Sequence, residues 1–239
     1  MNKIIHQLVA IRSLLIISIL SMVFFYGCSS EDKKVSEGVL EFKIQYPYYT
    51  DGFMQGLLPN TMVMTFKDDK YKIEIAKGKM FASTLMSDCK NKTLTIMLDF
   101  GPKKIYTVLN QEQAIKYVND QFAEPEVYSM NYMDTLVGFK CEKHYAVFDD
   151  LVNGHDVELM STNQILLTNS NWCNQYKSVQ GVLLQYELEQ YGLVMNFRAS
   201  EFKGMKVESS AFDIPAGFKE VSLDKMIYEM QEIFSTLNY

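Results

Sequence analysis

The sequence predicts a mainly β chain of the α+β class: an antiparallel sheet, a short mid-chain helix, and a C-terminal helix packed on the sheet. Three observations predict it. Apolar and polar residues alternate over much of the chain from Gly38 onward, which is the period-2 signature of half-buried strands. In the first half the links between alternating runs are two to five residues long, whereas a parallel crossover needs a dozen or more, so neighbouring strands there pair antiparallel. Tyr and Phe number 15 each, and aromatic side chains favour strands.

The elements follow in order. Leu40, Phe42, Ile44 and Tyr46 point one way, while Glu41, Lys43 and Gln45 point the other. The pattern recurs in Met62/Met64/Phe66 and in Tyr71/Ile73/Ile75, with Lys67-Asp68-Asp69-Lys70 as a tight hairpin between them. Strands are expected at 80–87, 93–100 and 104–109, with turns near Lys77-Gly78, Lys90-Asn91 and Gly101-Pro102, so this half reads as a meander. Asn110 caps a helix in which Ala114, Ile115, Val118 and Phe122 fall at helical spacing, and Pro125 follows its end. Strands resume from Glu126 and at 139–148, 155–161, 181–189, 193–199 and 205–212. From Ser222, Leu223, Met226, Ile227, Met230, Ile233, Phe234 and Leu237 form a continuous apolar stripe. Such a stripe needs cover, most simply from the sheet. No linker or repeat interrupts 38–239, so that stretch reads as a single domain.

The N-terminus carries an address. Lys3 and Arg12 precede an apolar stretch from Leu14 to Tyr26, then come Gly27, Cys28 and a polar tail. That order is the layout of a secretory signal. The apolar run is about thirteen residues, and crossing a bilayer needs roughly 20. Phe25-Tyr26-Gly27-Cys28 resembles the lipobox of bacterial lipoproteins, although Phe25 stands where leucine is usual. The resemblance implies a signal peptide over 1–27, a lipidated tether over 28–37, and acyl chains such as palmitate on Cys28 holding the protein to membrane lipid. The expected place is the bacterial cell envelope at the outer membrane. Each buried acyl CH₂ contributes about 0.8 kcal/mol, and two or more chains hold firmly. Residues 29–37 (SSEDKKVSE) are polar and without periodicity, as a solvated tether requires.

Composition excludes several functions. Without residues 1–27 the chain has 21 basic against 29 acidic side chains. Nucleic acid needs clustered Lys and Arg, and Lys103-Lys104 is only a pair. No nucleic-acid partner is expected. Cys89, Cys141 and Cys173 allow at most one internal disulfide, and their pairing stays open. There is no CxxC with partner ligands, no Gly-rich phosphate loop, no GxSxG and no HExxH. No cofactor, metal or catalytic residue is expected. The 15 Met are flexible, polarizable side chains that fill irregular cores or line adaptable apolar surfaces.

Three segments occur together: Gly138-Phe139-Lys140-Cys141-Glu142-Lys143, then Val179-Gln180-Gly181-Val182-Leu183-Leu184-Gln185-Tyr186-Glu187-Leu188, then Phe212-Asp213-Ile214-Pro215-Ala216-Gly217-Phe218. In that order they resemble the DUF4412 and GLPGLI families of bacterial envelope proteins, over roughly Glu37 to Leu223. The resemblance implies a fold like that of the LolA, LolB and LppX lipoprotein carriers. That fold is a strongly curved antiparallel sheet, an incomplete β-barrel with helices over its open face. It brings no catalytic residues. The expected activity is non-catalytic binding of a hydrophobic ligand or lipid in an apolar groove. Leu40, Phe42, Ile44, Met62, Met64, Phe66, Tyr71, Ile73, Leu94, Ile96 and Leu98 are the candidates to line it. The alternative is a scaffold that presents a sheet face to an outer-membrane partner or an extracellular polymer. A hydrolase built from scattered Asp, Glu and His is a further rival.

Other constellations are weaker. Cys141 and His144 are three apart, which in a strand puts them on opposite faces, so Cys141 is expected buried and His144 solvent-facing. Asp149, Asp150, Asn153, His155, Asp156 and Glu158 crowd one turn, but Leu151 breaks the EF-hand spacing. Met62 and Met64 could suit Cu(I), and packing beside Phe66 is the plainer reading. Asp134-Thr135-Leu136 resembles a bacterial O-glycosylation site, and Asn91-Lys92-Thr93 fits the eukaryotic sequon. The lipobox reading has a direct check. Substituting Cys28→Ser should abolish metabolic labelling with palmitate and move the protein out of the membrane fraction; unchanged labelling would remove the anchor.

Overall fold

The computed structural model describes residues 34–48, 56–148 and 156–237. The leader, Cys28, most of the tether and residues 149–155 of the acidic turn lie outside the described residues. Among the described residues of the compact unit Lys34–Tyr239, twelve strands and two full helices follow one another. β1 is Glu37–Gln45, β2 Thr61–Lys67, β3 Lys70–Lys77, β4 Phe81–Asp88, β5 Thr93–Phe100 and β6 Lys103–Leu109. Helix α1 (Gln111–Gln121) comes next, then β7 Glu126–Leu136, β8 Phe139–Val147, β9 Val157–Thr162, β10 Val182–Gln190 and β11 Leu193–Lys203. A single 3₁₀ turn, Ser209–Phe212, a two-residue β12 (Lys219–Glu220) and helix α2 (Leu223–Leu237) complete the chain.

Local chemistry sets the boundaries. Asp68 and Asp69 both take positive φ (50° and 60°), the two-residue turn whose twist suits a hairpin. Asp88 Oδ1 accepts from the backbone of Lys90 and Asn91 at 3.1 and 2.8 Å, closing the β4–β5 turn. Asn110 and Gln113 form a reciprocal capping box on α1. At α2, Ser222 Oγ accepts from Lys225 N at 3.3 Å.

All strands lie in one open sheet of order β12-β6-β5-β4-β3-β2-β1-β11-β10-β9-β8-β7. Every pairing between these named strands is antiparallel except β12 with β6, a parallel bridge of two residues. The expected strand over 205–212 does not form. Of 205–210 only Val207 is buried, and the Ser209-Ser210 pair turns the chain into 3₁₀ instead. Val35 exchanges backbone hydrogen bonds with Gln164 and Leu166 at 2.8 Å, so the ordered domain begins before Gly38.

The sheet is strongly curved. Phe234 of α2 packs with ring centroids 6.1 Å from Phe81 of β4 and 4.8 Å from Tyr191 of the β10–β11 turn. In a flat sheet the five strand spacings from β4 to β10 would hold those elements about 24 Å apart. Phe139 of β8 and Phe202 of β11, three strands away, likewise have centroids 4.8 Å apart. Bulges between Glu41 and Phe42, between Leu183 and Gln185, and between Ser129 and Met133 bend the strands. The core fills the concave side, where Leu40, Phe66, Leu94, Leu98 and Leu184 are fully buried. Helix α2 covers part of it with Met226, Met230 and Ile233, and Glu229 pairs with Lys103 of β6 and with Lys225.

Gly181 is held by contact as well as by φ. At Gly181 (φ +80°) a Cβ would lie 2.5 Å from the Thr162 carbonyl oxygen, whereas Gly217 (φ +92°) faces open space. Gly181→Ala should therefore lower stability by more than about 2 kcal/mol, and Gly217→Ala by about 1–2 kcal/mol. Urea denaturation of both variants checks the difference; equal losses would show that the Thr162 contact relaxes freely.

Candidate functional site

Between β9 and β10 the chain runs for nineteen residues, 163–181, without regular structure. Within this strap Ile165, Leu167, Cys173, Tyr176 and Val179 are all buried. Its amides satisfy the backbone around it. Asn171 Nδ2 donates to the carbonyls of Val179 and Gly181 at 2.9 Å, and Gln175 Nε2 donates to that of Glu187 at 3.2 Å. The Tyr176 hydroxyl donates to the same Glu187 oxygen at 2.6 Å. Trp172 donates through Nε1 to Ser87 Oγ of β4 at 2.8 Å, with the Lys92 ammonium 5.2 Å from its ring centre.

Strap, sheet and both helices leave a cavity of about 180 Å³ between them. Its sheet wall is Phe42, Met62, Met64, Tyr71, Ile73, Ile75, Leu85 and Ile96. Tyr117 of α1, Met230 of α2 and Tyr186 of β10 close other sides, and Asn171, Asn174 and Gln175 of the strap supply amides. The Tyr186 hydroxyl donates to Met62 Sδ at 3.5 Å, and the Tyr71 hydroxyl sits 3.3 Å from Cys173 Sγ. Burial holds the phenols of Tyr71 and Tyr186 well above their ordinary pKa. They act as neutral hydrogen-bonding groups.

Six of the eleven groove candidates, Phe42, Met62, Met64, Tyr71, Ile73 and Ile96, line this cavity. Leu40, Ile44, Phe66, Leu94 and Leu98 do not. They are packed into the core away from it, as where Phe66 stacks on Phe202 with centroids 6.4 Å apart. Strand alternation finds the concave face but cannot say where along it a covering segment lands. The strap and β10 contributions carry a signal too: Trp172, Cys173, Tyr176 and Val179 are too apolar for a solvated loop.

The remaining candidates are structural. His144 is buried rather than solvent-facing, hydrogen-bonded to Ser161 at 3.0 Å. A second apolar cluster, including Ala146, Leu159 and Tyr176, covers its side of the sheet, and burial lowers its pKa. Cys141 Sγ instead donates to the Phe139 carbonyl at 3.4 Å. Glu158 pairs with Lys143 at 3.4 Å, Asp134 accepts from Thr135 N at 2.7 Å, and Asn91 donates to Asp88 at 2.9 Å. Among the described residues no group of three or more His, Cys, Asp or Glu could hold a metal ion. No described helix is long and apolar enough to cross a membrane.

A second chamber of about 340 Å³ adjoins the first, sharing Phe122, Gln175 and Gln190 with it and bounded also by Phe148, Glu187, Glu189 and Tyr191.

No protein-family model matches the chain, and no curated protein does. Among solved structures the chain is similar to that of PNGF-II in space group C2, with a TM-score of 0.52 at 13% identity. The likeness covers 82% of this chain but 32% of that one, so the chain spans about a third of its length. At this identity the likeness shows the fold alone.

All three described cysteines are free and buried. Cys89 and Cys173 lie 3.9 and 3.7 Å from the same Ser87 Oγ. Burial pushes the Cys89 thiol up to about 12 and the Cys141 thiol to about 11, from 9.0. Raised folded values favour the protonated form, so their contribution to stability is complete below pH 9 and is lost as pH rises toward 11–12. Iodoacetamide at pH 8.5 should therefore label these thiols in the native protein at least about a hundredfold more slowly than in urea. Rapid native labelling would show that the strap opens.

Proposed function

We propose that the protein binds a small hydrophobic ligand without catalysis, held by acyl chains on Cys28 to a membrane of the bacterial cell envelope, at the outer membrane. The supporting observation is the cavity: walled by Ile, Leu, Met and aromatic side chains, about 180 Å³ in volume, and built where the sheet curves under its covering strap. A cavity of 150 Å³ suffices for benzene, so this one suits a ring or a chain of about six to eight carbons. Its polar groups are amides, hydroxyls and the Cys173 thiol. That thiol is kept protonated by burial, and His144 is engaged with Ser161 outside the lining, which favours binding over acid–base chemistry. The ordered resemblance to DUF4412 and GLPGLI proteins supports an envelope role in the same sense.

The scaffold reading has an observation of its own. Tyr128 and Tyr145 are cross-strand partners on the outermost hairpin, both exposed, with Tyr132 and Met133 nearby. Exposed aromatic side chains at a sheet edge fit a protein or polymer partner.

Native mass spectrometry after gentle extraction separates the two. The wild-type protein should carry a small apolar adduct or acquire one from added probe. Ile96→Phe fills the cavity at a cost of about 1–3 kcal/mol, and should remain folded while losing the adduct. A clean apo mass, with no uptake by wild type of either a phenyl or a hexyl probe, would overturn the binding reading in favour of the scaffold.

A further inference from the structure

The inner chamber leaves the Tyr186 hydroxyl poorly served. The ring of Tyr186 stacks on Phe197 of β11 with centroids 4.9 Å apart and meets Phe42 of β1 edge-on at 6.2 Å. Held in this way, the phenol cannot swing off to seek a partner, and it ends against Met62 Sδ at 3.5 Å. Among the described residues that contact is its only hydrogen bond. A thioether is a weak acceptor, whereas a buried tyrosine hydroxyl ordinarily finds a full partner. Tyr186 keeps part of its surface accessible, as a cavity-lining side chain must. Burial nonetheless raises its pKa well above the ordinary phenol value, so at neutral pH it remains an O–H donor.

Neighbouring polar groups of the lining are engaged elsewhere. Both hydrogens of the Asn171 amide go to backbone carbonyls, Asn174 bonds to Asn171 and to Tyr176 N, and Gln175 donates to the Glu187 carbonyl. The Tyr71 hydroxyl faces Cys173 Sγ at 3.3 Å, a thiol that can donate as well as accept. We infer that Tyr186 determines specificity: its hydroxyl turns from Met62 Sδ to an oxygen of the ligand, so the chamber takes a compact apolar molecule of about six to eight carbons bearing one carbonyl or hydroxyl oxygen. This rests on the binding reading above, since the chamber must first admit the apolar body. A hydrocarbon of the same shape leaves the phenol on its sulfur and gains packing alone. An oxygen replaces a weak acceptor with a strong one, and a site built to hydrogen-bond its ligand discriminates against the analogue that lacks the group.

Acetophenone and α-methylstyrene, isosteres that differ by an oxygen in place of a CH₂, test it by calorimetric titration into the full chain at pH 7. Because the two probes differ in hydration, each is compared between protein variants rather than with the other. Tyr186→Phe keeps the ring and its stacking, and should remain folded by circular dichroism. It should weaken acetophenone binding at least about tenfold, a factor of 1.4 kcal/mol, and α-methylstyrene binding by less than about threefold. Met62→Leu conserves volume and removes the competing acceptor, so it should tighten binding of the ketone and not of the alkene. The carbonyl stretch of bound acetophenone should lie lower in wild type than in Tyr186→Phe, a signature that a merely structural tyrosine would not produce. Equal losses for both probes, or a carbonyl band at the same position in both proteins, would overturn the role of the hydroxyl and leave the apolar site standing. Uptake of neither probe by wild type would overturn both readings together.

Discussion

The structure depends on one requirement: the apolar face of a twelve-stranded sheet has to be taken out of water, and two helices of 11 and 15 residues cannot cover it flat. Rolling the sheet meets much of that need, because strands then cover one another. Phe139 reaches Phe202 across three strands, Phe66 reaches Phe202 across two, and Phe234 closes the remaining gap between Phe81 and Tyr191. Each aromatic pair contributes beyond its buried area by about 0.5–1.5 kcal/mol. The bulges serve the same end, since an extra residue in one strand bends it and increases the local twist.

The strap completes the cover in a different way. An irregular buried segment would ordinarily strand its backbone polar groups. Here the segment brings side chains that supply them: Asn171 on two carbonyls, Ser170 on Gly181 at 2.9 Å, Gln175 and Tyr176 on Glu187. Amides that look like solvent-facing composition are therefore the means of burial. They also explain why a cavity persists beneath the strap. Side chains committed to backbone bonds cannot swing inward to fill space.

Much of this was legible in the sequence, and the failures have physical causes. The strands of the meander follow from period-2 alternation, and Asn110 marks the first helix because a cap needs an acceptor at that spot. The apolar stripe of α2 and the need to cover it were equally plain. The segment 205–212 alternates by eye but lacks the burial that makes alternation meaningful. His144 was misplaced because the count assumed one solvated face, whereas β9 is buried at five of six positions and both faces are covered there. The division of the groove candidates into six cavity-lining and five core residues could not be read at all. It depends on where a nineteen-residue strap lands, and that is a long-range contact with no periodic signature.

The same closure that creates the chamber limits what can enter it. A long acyl chain would outgrow the inner chamber of about 180 Å³. Beyond the adjoining chamber of about 340 Å³, room would come from lifting α2, which would expose Met226, Met230, Ile233 and Phe234 together. At about 1.5–3 kcal/mol per side chain that step costs roughly 6–12 kcal/mol, comparable with the whole stability of a typical domain. Glu229, which joins α2 to Lys103 on β6, would lose that partner as well and keep only Lys225 of its own helix. Binding energy from a few additional methylenes, about 0.8 kcal/mol each, recovers that cost only for a chain much longer than the chamber. A lipid tail that outgrows both chambers is thus disfavoured by the helix rather than by the sheet.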